Sequence, residues 1–154
     1  MEGSSQADRD MMRTALTRGR LLVTGLAAGV LFLTAVSGFV DFGSVGFADR
    51  LALPVALAGL VMLPASWHVY GAMRERAADV TDRTTGYTRY GTALLTALGL
   101  TAAGAFLGIV VYMMGAGILA LTGVFTHVLL TGVLWPAEEK IQPFLGRTGR
   151  SFVE

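Results

Sequence analysis

The stretch 90–137, YGTALLTALGLTAAGAFLGIVVYMMGAGILALTGVFTHVLLTGVLWPA, decides the fold. Its 48 residues contain no Asp, Glu, Lys or Arg and lie between Arg89 and Glu138. One transmembrane helix needs roughly 20 apolar residues to cross a hydrocarbon core of about 30 Å. The stretch is therefore too long for one span and fits two. The break between them is predicted at 114–117, because two glycines there permit a tight turn.

Two further uncharged runs precede this stretch. Residues 21–40 form a run of 20 and residues 51–73 a run of 23, and each is long enough for one span. Helices are the expected spanning form, because backbone groups in lipid must be satisfied within the segment. We predict an all-α integral membrane protein with a bundle of four transmembrane helices arranged as two hairpins. The predicted helices cover residues 21–41, 51–72, 91–113 and 117–135.

The composition supports this class and excludes others. The 154 residues are 53% hydrophobic and only 15% charged, whereas soluble globular chains are about 25% charged. A net charge of +1 provides no basic surface for nucleic acid, so no nucleic-acid partner is expected. The chain has no cysteine, which excludes disulfides, thiolate metal sites and cysteine nucleophiles.

The distribution of Lys and Arg predicts the orientation. Eleven of the twelve lie before the first helix, between the second and third, or after the fourth, and only Arg50 lies on the other side. By the positive-inside rule, both termini and the loop 73–90 should be cytoplasmic, in a multi-pass protein of the plasma membrane. Residues 1–20 are predicted to be a disordered cytoplasmic tail, and 137–154 a solvated, partly ordered cytoplasmic tail. As an alternative, the first helix is a cleaved signal peptide, which would leave three helices.

Small residues and one proline suggest how the helices pack. Gly25 and Gly29 in the first helix, and Gly104 and Gly108 in the third, are spaced by four and share a helix face. Such pairs let two backbones approach closely, either within the bundle or between subunits. Pro64 lies inside the second helix and removes a backbone donor, which predicts a kink there.

The two histidines are the main candidates for chemistry. His68 and His127 lie within the second and fourth predicted helices, and an imidazole in lipid needs a polar partner. The first interpretation is structural, with Thr126 or the Leu60 carbonyl as hydrogen-bond partner. The alternatives are axial ligation of a b-type haem shared by both rings, for which Gly123 would leave room, or contact with a quinone.

Three functions remain open. No charged residue lies well inside a predicted span, and no pair there suits acid–base or nucleophilic catalysis, so no catalytic or metal-binding residue is assigned. The favoured hypothesis is an accessory or scaffold subunit that packs through its glycines as a homo-oligomer or with other membrane subunits. The second hypothesis is a haem- or quinone-binding redox subunit. The third is a small oligomeric channel or transporter.

Overall fold

The chain is all-helical in the part that the structure describes. The computed structural model describes residues 2–40, 43, 45–77, 79 and 81–145, with 2–5 described for their backbone only. The helices are α1 (Glu2–Ser37), α2 (Ala48–Arg76), α3 (Arg83–Met113), a short 3-10 turn (Ile118–Leu121), α4 (Thr122–Val133) and α5 (Glu138–Ile141). Among the described residues, α1, α2 and α3 are long and apolar enough to cross a membrane.

The fourth predicted span, 117–135, is not one continuous α-helix. The 3-10 turn of 4 residues and α4 of 12 residues together run Ile118–Val133, about 26 Å at about 2.0 and 1.5 Å per residue, which is less than a hydrocarbon core of about 30 Å. Pro136 disfavours the helical conformation at the residue before it, and α4 ends at Val133, shortly before that point. The chain then bends by 97° into Glu138–Leu145. A fourth span is present only if both segments are counted together.

The helices α1, α2 and α3 alternate in direction, as two contacts show. Asp8 of α1 forms an ion pair with Arg83 at the start of α3. The Arg89 side chain of α3 donates a hydrogen bond of 2.8 Å to the carbonyl of Arg76 at the end of α2. We call this end, where α1 and α3 begin and α2 ends, the basic end.

The N-terminal segment is helical in the described residues 2–20, where the sequence predicted a disordered tail at 1–20. α1 contains 36 residues and is about 54 Å long, well beyond the thickness of a bilayer core. Met12 and Leu16 pack against the core at the basic end, and they share one helix face. These contacts and the ion pair of Asp8 with Arg83 stabilise a helix that composition alone did not predict.

α3 lies at the centre of the structure. In an apolar stretch of 18 residues within α3, 56% of the residues are buried, against 17% in the corresponding stretch of α1 and 22% in that of α2. It packs against α1, α2 and α4. The buried apolar residues form one cluster at the basic end, one in the middle and one at the opposite end, where the Val45 N–H donates to the Met114 carbonyl. Side chains that share this interior are therefore held mainly by contacts to α3.

The C-terminal segment packs onto the basic end, in contrast to the predicted solvated tail. Ile141, Phe144 and Leu145 are buried. The Phe144 ring makes edge-to-face contacts with Tyr70 and Tyr90, at centroid distances of 5.6 and 5.4 Å. Residues 146–154 of the predicted tail lie outside the described residues, as does residue 41 at the end of the first predicted helix.

α2 contains two prolines within a single helix. Pro54 lies in its second turn and Pro64 near its middle, and the helix continues through both. The kink at Pro64 stays a prediction.

Candidate functional site

A buried polar pair joins α3 to α4. The Oγ1 of Thr101 lies 2.9 Å from the Nδ1 of His127, and the two residues are 1% and 0% exposed. The partner of His127 is thus Thr101, and neither Thr126 nor the Leu60 carbonyl. Thr126 instead donates to the Thr122 carbonyl within its own helix.

The hydrogen bonds of the Thr101 hydroxyl determine which nitrogen of the neutral His127 ring carries the proton. It has one proton, which it can give either to the Leu98 carbonyl at 3.1 Å or to the Nδ1 of His127. If Thr101 donates to Nδ1, then Nε2 of the neutral ring carries the proton. Nε2 has no hydrogen bond of normal geometry among the described residues, although the Leu26 carbonyl of α1 is within interacting range. Thr101 and His127 therefore form a hydrogen bond between α3 and α4, and the Nε2 of His127 is left without a hydrogen bond of normal geometry among the described residues.

His68 has a different environment. Its side chain is exposed, whereas His127 is fully buried. Gly59 of α2 touches Gly123 of α4, and His68 follows Gly59 by nine residues, which is half a turn out of phase with that contact. His68 therefore faces away from α4, and the structure does not bring the two histidines together.

Glycines make the closest helix contacts in the interior. A Cβ built on Gly59 would lie 2.8 Å from the Cα of Gly123, and one built on Gly123 would lie 2.5 Å from the Gly104 carbonyl oxygen. We call Gly59, Gly104 and Gly123 the glycine contact. Gly108 is equally tight, because its Cβ would overlap the carbonyl of Ala120 in the 3-10 turn. Gly104 and Gly108, the two packing residues predicted in α3, therefore pack against other helices of the same chain.

The glycine contact occupies the space that a haem would need. Gly123 was expected to leave room for a flat ring beside His127, but the backbone of Gly104 fills that space. A shared haem would require α3 and α4 to separate and His68 to turn inward. Across the described residues, no three His, Asp or Glu side chains form a group that could hold a metal ion.

The glycines of α1 have the opposite environment. Gly25 and Gly29 are exposed, and nothing lies within 4 Å of a Cβ built on either. Leu21 and Phe32 continue the same face and are 69% and 67% exposed. We call these four residues the open face of α1. Of the two predicted glycine pairs, Gly25 and Gly29 are the pair without a neighbour in the described part of the chain.

Sequence reasoning missed Gly59 and the pairing of Thr101 with His127. A spacing of seven residues would have revealed Gly59, since Ala52, Gly59 and Ser66 repeat at that interval and all are buried. Thr101 carried no comparable signal, because threonine in a membrane helix often bonds to its own backbone. Three other buried hydroxyl groups have no hydrogen-bond partner among the described residues; they belong to Ser66, Tyr90 and Thr131.

The chain matches no family model, no curated protein and no solved structure.

Proposed function

We propose that the protein is a non-catalytic, multi-pass membrane protein that associates with a second copy of itself through the open face of α1. The observation that carries this proposal is the contrast between two glycine pairs. Gly104 and Gly108 are closed by neighbours within the chain, while Gly25 and Gly29 have none within 4 Å. In lipid, close backbone packing provides the attraction between helices, and a glycine face permits it.

In the proposed topology the chain crosses the plasma membrane four times, and both termini lie in the cytoplasm. Ile118–Val133 and the bent segment after it form the fourth span, which is shorter than the others. The basic end faces the cytoplasm, because the Lys and Arg residues that the structure describes lie there, except Arg50 on the opposite side. The long α1 then projects its charged first half from the inner membrane surface.

A second copy is the partner that fits the open face best. Two identical faces can pack about a twofold axis, so that each glycine pair meets its equivalent. Leu21 and Phe32 flank the glycines and provide apolar contacts at either end. The face has no charged residue between Arg20 and the end of α1, so packing does not bury an unpaired charge.

The test is the oligomeric state of the full-length protein in lipid vesicles, measured by single-molecule photobleaching over a range of protein-to-lipid ratios. We expect a dimer that Gly25→Ile and Gly29→Ile each weaken by at least about tenfold, or about 1.4 kcal/mol. Gly71→Ile in α2 is the control, since nothing lies within 4 Å of its Cβ. A wild-type chain that stays monomeric at every ratio would overturn the proposal.

The channel hypothesis has less support. It placed an oligomeric pore along the glycine- and threonine-rich faces of the third and fourth helices. Gly104, Gly108 and Gly123 are closed against neighbours inside the chain, and the hydroxyl of Thr101 is paired with His127. Transport therefore stays a prediction that flux measurements in liposomes would test.

A further inference from the structure

A cleft of about 560 Å³ lies between the first halves of α1 and α3 at the basic end. Seven of its lining residues fall on α1 between Asp10 and Leu22, and six on α3 between Thr84 and Leu94. Its volume is within the range of about 300–1,000 Å³ that is usual for small-molecule sites. The cleft therefore has room for part of an amphiphile.

The cleft changes from polar to apolar along its length. Asp10, Thr14 and Thr84 line one end, and Leu22 and Leu94 line the other. The uncharged runs begin directly after Arg20 in α1 and Arg89 in α3, within the length of the cleft. When the chain is inserted in a membrane, the cleft thus crosses the boundary between headgroups and hydrocarbon. The inference rests on that insertion, and it is independent of self-association.

Two opposite charges line the polar part of the cleft. Asp10 and Arg18 are eight residues apart on α1, about 12 Å along the axis, with Asp10 further from the apolar end. Neither belongs to an ion pair within the described residues, in contrast to Asp8 and Arg83 just beyond the cleft. A ligand that pairs with both must carry an anion near the hydrocarbon and a cation further out.

We propose that this cleft binds a phospholipid whose headgroup carries a phosphate and a primary ammonium, as in phosphatidylethanolamine. Arg18 pairs with the phosphate, Asp10 accepts hydrogen bonds from the ammonium, and the first part of an acyl chain lies along Leu22 and Leu94. An anionic phospholipid without an amine would leave Asp10 facing a negative headgroup. A choline headgroup has no N–H to donate, so it cannot replace the ammonium at Asp10.

The first test measures which lipid the full-length protein retains after extraction from vesicles of equal parts phosphatidylethanolamine, phosphatidylcholine and phosphatidylglycerol, by native mass spectrometry. We expect retention of phosphatidylethanolamine over phosphatidylcholine by about tenfold, or about 1.4 kcal/mol. Asp10→Asn should remove that preference, and Arg18→Gln should weaken retention of all three lipids. Asp49→Asn and Arg13→Gln are the controls, because neither residue lines the cleft.

A second variant tests the cleft by filling it. Gly91 lines the cleft, and nothing lies within 4 Å of a Cβ built there, so Gly91→Leu adds a side chain at the wall of the cleft whose Cβ meets no neighbour. It should abolish lipid retention, while Gly99→Leu on the same helix, also with nothing within 4 Å, should not. Equal retention of the three lipids by the wild type, or a preference unchanged in Asp10→Asn and Gly91→Leu, would overturn the proposal. Gly25→Ile should keep its lipid, which separates this result from dimerisation.

Discussion

Thr101 and His127 form the hydrogen bond that joins α3 to α4 within the buried interior, with 2.9 Å between Oγ1 and Nδ1. Both residues are almost fully buried, so water does not compete for the bond. Hydrogen bonds between membrane helices contribute about 0.6 kcal/mol on average and up to about 1.7 kcal/mol. We place this one near the upper part of that range, because its loss leaves the imidazole without its Nδ1 partner.

Thr101→Val removes the hydroxyl while keeping the shape of the side chain. We expect it to lower the free energy of unfolding in detergent by about 1.5 kcal/mol, and Thr101→Ser to restore most of the loss. Thr126→Val is the matched control, since the Thr126 hydroxyl bonds only to the Thr122 carbonyl of its own helix. Equal effects of the two valine variants would mean that the bond to His127 contributes nothing specific.

Gly123→Ala tests the glycine contact. The added Cβ would lie 2.5 Å from the Gly104 carbonyl oxygen, so α3 and α4 must move apart. We expect destabilisation of about 1–3 kcal/mol, the usual cost of overpacking a core. Gly132→Ala in the same helix is the control, because nothing lies within 4 Å of its Cβ. Thermal unfolding in detergent distinguishes them, and equal melting temperatures would contradict the contact.

The coarse fold followed from the uncharged runs. They predicted helices at 51–72 and 91–113, and the structure has Ala48–Arg76 and Arg83–Met113, because a long run without charge is apolar enough for a helix that could cross a membrane. The charged ends of the helices, beyond the uncharged runs, were underestimated. Those of α1 depend on contacts distant in sequence, such as Asp8 with Arg83, which no local pattern contains.

The candidate site was predicted less well than the fold. Residue spacing identified small-residue faces, but it could not tell which face is covered. Gly104 meets α2 and α4, whereas Gly25 meets nothing within 4 Å. The difference comes from helix rotation, which is determined by packing of the whole bundle. Helix rotation also explains the outcome for the histidines. The haem hypothesis assumed that His68 and His127 meet because they lie at similar depths, but the two side chains point in different directions.

The haem hypothesis predicts a visible spectrum. Because His68 is exposed and faces away from α4, we expect no Soret band in protein purified from haem-replete cells, with reduced-minus-oxidised spectra flat. His127→Ala should lower the melting temperature, since the ring is fully buried, and His68→Ala should leave it unchanged. A b-type signal that disappears in both histidine variants would overturn the environments assigned to the two rings.

Asp82 caps the start of α3 and makes the stability of that helix depend on pH. Its carboxylate accepts hydrogen bonds from the backbone N–H and the hydroxyl of Thr85, both at 2.9 Å, and these hold its pKa below the usual 3.8. The folded pKa is therefore the lower one, so the carboxylate contributes stability above pH 3.8 and loses it as the pH falls through the folded value.

Asp82→Ala should lower the melting temperature at pH 7, and the difference from the wild type should diminish as the pH falls below about 3.8. Asp82→Asn is the control, because asparagine keeps an acceptor at the start of the helix without titrating between pH 2 and 7. A difference between wild type and Asp82→Ala that is independent of pH would mean that the charge of Asp82 has no role.

The Phe144 side chain packs the C-terminal segment against the basic end. Its ring is fully buried and meets Tyr70 and Tyr90 edge to face, so Phe144→Ala should cost about 3 kcal/mol. Released from this contact, Lys140 should be cleaved faster by trypsin, because its side chain no longer stays bonded to the Val133 carbonyl. Phe39→Ala is the control, since that ring is 91% exposed. Unchanged stability together with an unchanged rate of cleavage after Lys140 would show that the segment is not docked in solution.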